Sequence, residues 1–336
     1  MNKKRWGALA IAVLLFGVSI IVNFASLAFT TDFTKFFEET FTTSDENFSE
    51  EVMEDGDEFK KIAILEVDGV IQDTGSSTSL LKDGSYNHRD FMKQLNYVKD
   101  NNDVKAVILR VNSPGGGVVE SAEIHDKIVE IQKEAKKPVY VSMGATAASG
   151  GYYISTSADK IFASKETMTG SLGVIMQGVN YSELAKDFGV DFVTIKSGPY
   201  KDIMSPSRKM TNDEKKIIQN MVNNSYDGFV QVISQGRHMP ENIVRKLADG
   251  RVYDGRQAKE LKLIDDFGYL EDVIDHVRKD FHLKNAQVVR YKSDAGLGSL
   301  FSMAVQKMMG KEADVTGLMK MLSQPNAPRL MYIYSE

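Results

Sequence analysis

Hydrophobic and polar positions alternate along the chain in blocks that predict strands and helices in turn. Short runs of β-branched and apolar residues predict strands at residues 61–71, 104–111, 139–141, 160–163 and 191–197. Apolar residues at helical spacing predict helices at residues 90–98, 119–131 and 213–234, and from Glu241 onward. Thr211 and Glu214 have the spacing of a capping box at the start of the third helix. This order predicts an α/β fold with a mainly parallel sheet and helices on both faces.

The first thirty residues follow a different pattern. Lys3, Lys4 and Arg5 precede an apolar run at residues 6–29, long enough for the ~20 residues that cross a bilayer. We expect a single-pass anchor in the cell membrane at residues 1–30, with the N-terminus cytoplasmic and the rest of the chain outside. A cleaved signal peptide is the alternative, since Ser26 and Ala28 suit a cleavage site. The length of the apolar run favours the uncleaved anchor.

Three further regions follow the anchor. Residues 31–58 are acidic and rich in Ser and Thr, so we predict a solvated linker whose charges repel one another. Phe33, Phe36 and Phe37 could instead continue the anchor as an interfacial helix. The main α/β domain is expected at residues 59–294, and residues 295–336 form a C-terminal tail. The tail ends in the apolar run 330–334, which we expect to lie in a groove of its own chain or of a neighbouring subunit.

Composition narrows the functional classes. The net charge is −5, and no basic stripe interleaved with aromatic residues is present, so nucleic acid is not an expected partner. The chain has no cysteine, which excludes disulfides, thiolate metal sites and a cysteine nucleophile. No metal or other cofactor is expected.

Ser149 is the candidate nucleophile. It lies in a small-residue elbow, residues 144–151, between a predicted strand and a helical stretch. Its neighbours Ala148 and Gly150 leave the hydroxyl accessible, and the start of the following helix directs free N–H groups toward a developing oxyanion. A tight packing turn between a helix and a sheet is the alternative interpretation of this stretch.

A second glycine-rich loop, residues 112–117, follows the strand at residues 104–111. Its backbone N–H groups can approach an anion closely. The Lys and the Ser/Thr of a phosphate-binding loop are missing, so an oxyanion hole fits better than a nucleotide site. The alternative is a plain glycine turn.

The base that would activate the serine is less clear from residue types. The five histidines, at positions 88, 125, 238, 276 and 282, lie in polar sequence and are expected at the surface. Lys201 follows Gly198, Pro199 and Tyr200 at the end of a predicted strand. A lysine amine buried beside an apolar wall loses its solvation, its pKa falls, and its neutral form can accept the serine proton. Composition alone favours a solvated surface lysine.

Five ordered motifs then resemble the signal peptide peptidase SppA family, serine proteases similar in fold to the Clp protease subunit and the crotonases. The motifs are RVNSPGGG at 110–117, AASGGYYIS at 147–155, TGSLGV at 169–174, SGPYKD at 197–202 and GRVYDGRQA at 250–258. The resemblance implies Ser149 as nucleophile, Lys201 as general base and Ser171 as the residue that orients the lysine amine. It implies that Gly116 and Gly150 donate to the oxyanion. The chain departs from the family at Lys262, where a glycine would suit a left-handed helix cap.

The resemblance also implies an assembly. Long members contain two copies of the domain, with the lysine and the serine in different copies, whereas this chain holds both residues in one copy. A homo-oligomeric ring whose neighbouring protomers share each Ser/Lys dyad is therefore expected. Hydrophobic peptides at the membrane, above all released signal peptides, are the implied substrates.

Three alternatives remain open at this point. A scaffold ring could bind membrane peptides without cutting them. A crotonase-like acyl-CoA enzyme would use the same oxyanion amides, although the expected external location argues against CoA thioesters. A protease acting on membrane-active antimicrobial peptides is the third alternative.

Overall fold

The computed structural model describes residues 48–73, 86–293 and 329–334, and nine strands of this part form one sheet. The spatial order is β1-β10-β2-β3-β5-β6-β9, with β7 beside β5 and β8 beside β7. The strands are β1 (Phe48–Glu54), β2 (Asp57–Asp68), β3 (Val104–Ser113), β4 (Gly115–Gly117), β5 (Val139–Ala148), β6 (Lys160–Ala163), β7 (Met168–Gly170), β8 (Val252–Asp254), β9 (Asp266–Phe267), β10 (Ala286–Ser293) and β11 (Met331–Ile333). Strands β4 and β11 form a separate pair.

Helices pack on both faces of this sheet in the described part of the chain, except the short helix Ser182–Asp187, which buries none of its side chains. They are α1 (His88–Asp100), α2 (Val118–Lys133), α3 (Gly150–Ser155), α4 (Ser182–Asp187), α5 (Asn212–Gly236), α6 (Glu241–Leu247), α7 (Gly255–Glu260) and α8 (Leu270–Asp280). The capping box of Thr211 and Glu214 begins α5 as predicted. Strands β10, β2, β3, β5, β6 and β9 run parallel along the sheet, which confirms the mainly parallel α/β prediction.

Alternation within single strands explains the two cores. In β2, Leu65 packs into the cluster that contains Ile124 of α2 and Phe229 of α5. Its neighbour Ile64 packs into the second cluster, which contains Val273 of α8. Successive side chains of a strand point to opposite faces, so a strand buried on both faces must be apolar throughout. The continuous apolar runs in the sequence reflect this double burial.

Parallel pairing brings two loops to one edge of the sheet. Strand β3 ends at Ser113, which pairs with Ala147 at the end of β5. The glycine loop after β3 and the turn after β5 therefore lie side by side. Ligand sites of open parallel sheets lie at this carboxyl edge.

The linker prediction for residues 31–58 is wrong at its C-terminal end. Residues 48–54 form β1, which pairs antiparallel with β10. Its carboxylates do not simply repel one another, because the neighbouring strands supply cations: Glu50 pairs with Lys61 at 2.6 Å and Glu51 with Lys292 at 2.7 Å. Phe48 anchors the strand by packing against an aromatic cluster.

The strand predicted at residues 191–197 is also wrong. This segment has no regular structure, and Val193 and Ile195 are 88% and 97% exposed. A strand forms only where a neighbour accepts its backbone hydrogen bonds, and the described part of this chain places no strand beside it. The turn-rich stretch after residue 250, by contrast, contains the short elements β8, α7 and β9. At its centre Lys262 has φ +60°, the left-handed conformation expected there.

The predicted anchor at residues 1–30 lies outside the described residues. Among the helices that are described, none combines the length and the apolar character required to cross a membrane.

Candidate active site

Ser149 occupies a strained turn between β5 and α3. Its backbone has φ +52° and ψ −113°, which few residues other than glycine adopt. The Ser149 N–H donates to the Gly170 carbonyl at 2.8 Å, and the Ser149 carbonyl accepts from the Tyr153 N–H at 2.8 Å. The residue is 1% exposed, and its hydroxyl oxygen has no hydrogen-bond partner among the described residues. The turn holds a buried hydroxyl without committing it to another group.

The glycine loop lies against this turn and leaves no room for side chains. A Cβ at Gly115, where φ is +100°, would lie 2.0 Å from the Tyr332 carbonyl oxygen and 2.5 Å from the Gly150 nitrogen. A Cβ at Gly116 would lie 1.8 Å from the Ile71 carbonyl oxygen. Glycine is therefore required at both positions by close backbone approach.

The end of the chain binds to this loop as an added strand. We call residues 329–334 the tail segment. Its strand β11 pairs antiparallel with β4, with Tyr332 opposite Gly116. On its other edge, the Met331 N–H donates to Ile175 at 2.9 Å and the Met331 carbonyl accepts from the Ile175 N–H at 3.0 Å. The tail segment thus lies between two backbone edges, as a peptide does when it binds by strand addition.

The register places the Tyr332 carbonyl at the predicted oxyanion site. The Val118 N–H donates to Leu330, and the Tyr334 N–H donates to Pro114. Hydrogen-bonded pairs alternate in antiparallel ladders, so Tyr332 and Gly116 form the pair between these two, with the Gly116 N–H directed at the Tyr332 carbonyl.

Gly150 lies beside the same carbonyl. A Cβ at Gly150 would lie 3.0 Å from both the Gly116 nitrogen and the Tyr332 oxygen. Gly150 is the first residue of α3, so its N–H has no acceptor within the helix. The Gly116 amide, the backbone of Gly150 and a peptide carbonyl therefore lie together next to Ser149.

An aromatic pocket holds the side chain of Tyr332. Its ring stacks on Tyr153 and contacts Phe229, with centroid distances of 4.9 and 4.6 Å. Its hydroxyl donates to the Ser225 carbonyl at 3.1 Å. Burial raises the pKa of Tyr332, which keeps the phenol neutral. The pocket suits a large side chain of mostly apolar character.

Ser171 and Lys201 occupy different environments. Ser171 follows Gly170, the acceptor of the Ser149 N–H, and lines a cleft together with Ile333 and Tyr334 of the tail segment. Lys201 lies exposed in a turn, and its amine makes no hydrogen bond to the Ser149 hydroxyl within this chain. The structure therefore brings together Ser149, Gly116 and Gly150, with Ser171 adjoining them, but it does not bring Lys201 to the serine.

The turn that carries Lys201 is fixed by its neighbour. Asp202 accepts from the Arg208 Nε at 2.7 Å, and the same guanidinium bonds Glu214 in the capping box of α5. The hydrogen bond from Arg208 lowers the pKa of Asp202 below its ordinary value and that of Glu214 to about 2. Both carboxylates therefore stay charged at neutral pH and hold the turn to α5.

Among the described residues, no histidine forms a hydrogen bond with the Ser149 hydroxyl. His88 is buried, against the prediction of a surface position, because it bridges the Tyr86 hydroxyl and Glu123, each at 2.7 Å. His125 is largely buried beside Tyr153, and burial lowers its pKa. The described residues hold no cluster of three or more His, Asp or Glu side chains suited to a metal ion.

Sequence reasoning missed the residues that contact the tail segment from the sides. Tyr153 and Phe229 occupy apolar positions with the spacing of ordinary core residues, so periodicity did not distinguish them. Ile175 directly follows the TGSLGV motif, and this adjacency was its only signal.

A buried serine at a strand-to-helix turn, with a glycine loop and the start of a helix beside a peptide carbonyl, is the arrangement of a serine protease. The profile of Peptidase family S49 matches residues 131–284. An Enterococcus faecium protein provisionally named signal peptide peptidase SppA is 43% identical over 99% of both chains. Protease 4 of Haemophilus influenzae is 34% identical over 82% of this chain and 46% of its own length. The chloroplastic serine protease SPPA of Arabidopsis thaliana is 31% identical over 54% of this chain and 27% of its own. The chain belongs to the signal peptide peptidase SppA family of serine proteases.

Proposed function

We propose that this chain is a membrane-anchored endopeptidase that cuts hydrophobic peptides, above all signal peptides already released from their proteins, through a Ser149–Lys201 dyad. The observation that carries the proposal is the position of the Tyr332 carbonyl, which lies opposite Gly116 and beside Gly150, next to Ser149. A substrate strand in the same register would present its scissile carbonyl there.

The chemistry follows from this placement. The Ser149 oxygen attacks the carbonyl carbon, and the charge that forms on the oxygen is stabilised by the Gly116 and Gly150 amides. Lys201 takes the serine proton and delivers it to the leaving amine as the peptide bond breaks. Water then attacks the acyl-serine ester with Lys201 again as base. Ser171 orients the lysine amine.

The lysine comes from a neighbouring protomer in this proposal. Two observations support the sharing. The Ser149 hydroxyl has no partner among the residues that the structure describes, and Lys201 follows a segment whose apolar side chains Phe188, Val193 and Ile195 are 78%, 88% and 97% exposed. Docking of that segment on a second copy would bury these side chains. It would also desolvate the amine, which is how a lysine becomes neutral enough to act as a base.

The proposed substrate class follows from the geometry of the site and from the expected membrane anchor. Binding by strand addition requires an extended peptide, so a folded domain cannot enter. The pocket of Tyr153 and Phe229 selects a large apolar or aromatic residue. An anchor at residues 1–30 would hold the site where hydrophobic peptides leave the bilayer, and the Enterococcus faecium relative is named for signal peptides.

A mixed assembly tests the dyad and its sharing together. Two differently tagged full-length chains, one Ser149→Ala and one Lys201→Ala, are co-expressed, and complexes that carry both tags are isolated. Each variant alone should lose about 10³-fold or more in the cleavage rate of a fluorogenic apolar peptide. In a random ring, a site is complete when both contributing chains are intact at the relevant residue. The mixed complex should therefore recover about a quarter of the wild-type rate.

Controls separate the possible failures. Lys209→Ala removes an exposed lysine in the same segment and should leave activity unchanged. A complex of Ser149→Ala chains carrying both tags should stay inactive. If the mixed complex is as inactive as its parents, sharing between protomers is excluded; if either single variant keeps its activity, that residue is not catalytic.

A further inference from the structure

Arg329, the first residue of the tail segment, contacts two side chains outside the aromatic pocket. Its Nη1 lies 3.8 Å from the Glu120 Oε1, and its Nη2 donates to the Gln72 Oε1. Arg329 lies three residues before Tyr332, whose carbonyl occupies the oxyanion site. At about 3.4 Å per residue, the two positions are roughly 10 Å apart along the strand.

Glu120 is held in place by the glycine loop itself. It lies in the first turn of α2, three residues after Gly117, and its side chain is only 14% exposed. Its Oε1 accepts from the Asp73 N–H at 3.1 Å, and a Cβ on Gly117 would lie 1.9 Å from its Oε2. The carboxylate is therefore packed against the loop that supplies the Gly116 amide, and these contacts fix its position.

Gln72 is fixed to the same loop through its neighbour. The Ile71 N–H donates to Gly115 at 2.9 Å, and the Gly117 N–H donates to Ile71 at 2.8 Å. The Glu120 carboxylate and the backbone that precedes Gln72 are thus both held to the loop that carries Gly116. A strand bound in the register of the tail segment must place one particular side chain between them.

We propose that Glu120, assisted by Gln72, is a specificity residue that selects peptides with a basic side chain three positions before the residue whose carbonyl lies opposite Gly116 and beside Gly150. This inference rests on the proposed function, because it takes the register of the tail segment as the register of substrates. Arginine is favoured over lysine, since only the guanidinium fork reaches both oxygens. Glutamate at this position meets a carboxylate of like charge.

Binding to an uncleaving enzyme tests the inference independently of catalysis. The full-length Ser149→Ala chain is titrated with labelled hexapeptides of the sequence RLMYIY in which the first residue is Arg, Lys, Gln or Glu. Because Arg329 is about half exposed, the effect is modest: we expect Arg to bind about threefold tighter than Gln and about tenfold tighter than Glu. The tail segment competes equally with all four peptides, so the ratios are unaffected by it.

The Glu120→Gln change, added to Ser149→Ala, should reduce the Arg/Glu ratio to about two or less, and added salt should reduce it in the parent. Glu123→Gln is the matched control, one turn later on α2, where the carboxylate bonds His88 instead, and it should keep the full ratio. Equal binding of the Arg and Glu peptides, or a ratio that survives Glu120→Gln, overturns the inference.

Cleavage by the wild-type chain provides the second readout. The ratios of kcat/KM should follow the binding ratios, with the cut after the tyrosine. Charge selection in binding combined with cleavage that persists in Ser149→Ala would refute the proposed dyad and leave the Glu120 assignment intact. If cleavage is lost in Ser149→Ala but wild-type cleavage and binding do not depend on the first residue of the peptide, the result supports Ser149 as the nucleophile and refutes the Glu120 assignment.

Discussion

The ring of Tyr332 stacks on the ring of Tyr153, with centroids 4.9 Å apart and planes inclined by 25°. Tyr153 donates its N–H to the carbonyl of Ser149, so the wall of the pocket and the candidate nucleophile belong to one helical turn. A side chain that fills the pocket is therefore positioned by the same turn that presents the serine. The short backbone segment from Ser149 to Tyr153 therefore couples recognition of a bound side chain to the alignment of the same residue's carbonyl.

The opposite wall of the pocket gives the first prediction. Phe229 is 1% exposed and contacts both Tyr153 and Tyr332. Phe229→Ala should lower kcat/KM about tenfold or more for peptides with Tyr or Phe at the cleaved position, because about 1.5–3 kcal/mol of apolar contact is lost. Peptides with Ala there should lose much less. Phe281→Ala is the control, because Phe281 contacts Tyr140 of the second core cluster, on the other face of the sheet. If Phe229→Ala reduced kcat/KM equally for both kinds of peptide, a role of Phe229 in the pocket would be refuted.

The tail segment gives the second prediction. It occupies the strand position that we assign to substrates, so it should compete with them. If the segment is docked for nine-tenths of the time, removal of residues 325–336 lowers the apparent KM about tenfold with little change in kcat. Steady-state kinetics of the truncated and full chains with one fluorogenic peptide measure this. Unchanged KM and unchanged response to a competing peptide would show that the segment does not regulate the site.

Locally encoded features of this fold were predictable. The capping box of Thr211, the left-handed backbone at Lys262 and the turn at Ser149 depend on neighbours within a few residues, and each is visible in the sequence. The alternation of Ile64 and Leu65 between two cores follows from the strand itself.

Features that depend on distant partners were not predictable. Strand β1 forms because β10, more than 200 residues away, supplies its hydrogen bonds and the cation Lys292, whereas residues 191–197 have no such partner in the described part of the chain. The pocket joins Tyr153, Phe229 and Tyr332 across the whole chain. Their apolar character was visible, but their meeting point was set by the register of β11 on β4, which no local pattern encodes.

Backbone strain at Ser149 gives the third prediction. Its φ of +52° with ψ −113° costs about 1–3 kcal/mol for a residue with a Cβ. Ser149→Gly and Ser149→Ala both remove the hydroxyl, but only glycine relieves the strain. The Gly variant should be about 1 kcal/mol more stable than the Ala variant after the chain entropy of glycine is subtracted, and should melt a few degrees higher. Equal or reversed Tm values in scanning calorimetry would mean that the turn is unstrained.

The link from Arg208 to the Lys201 turn gives the last prediction. Arg208 bonds both Asp202, which follows Lys201, and Glu214 at the start of α5. Arg208→Ala leaves two adjacent carboxylates without their shared cation, so the turn should loosen and Lys201 should reach the neighbouring site less often. We expect kcat to fall about tenfold or more with little change in KM, because the peptide still binds to β4 and Ile175 while proton transfer fails. Lys209→Ala is the matched control: Lys209 follows Arg208 in the sequence, and its exposed ion pair with Glu183 should contribute little, so kcat should be unchanged. Loss of activity in both variants, or a rise in KM alone for Arg208→Ala, would show that the segment contributes to folding or peptide binding and not to the placement of the lysine.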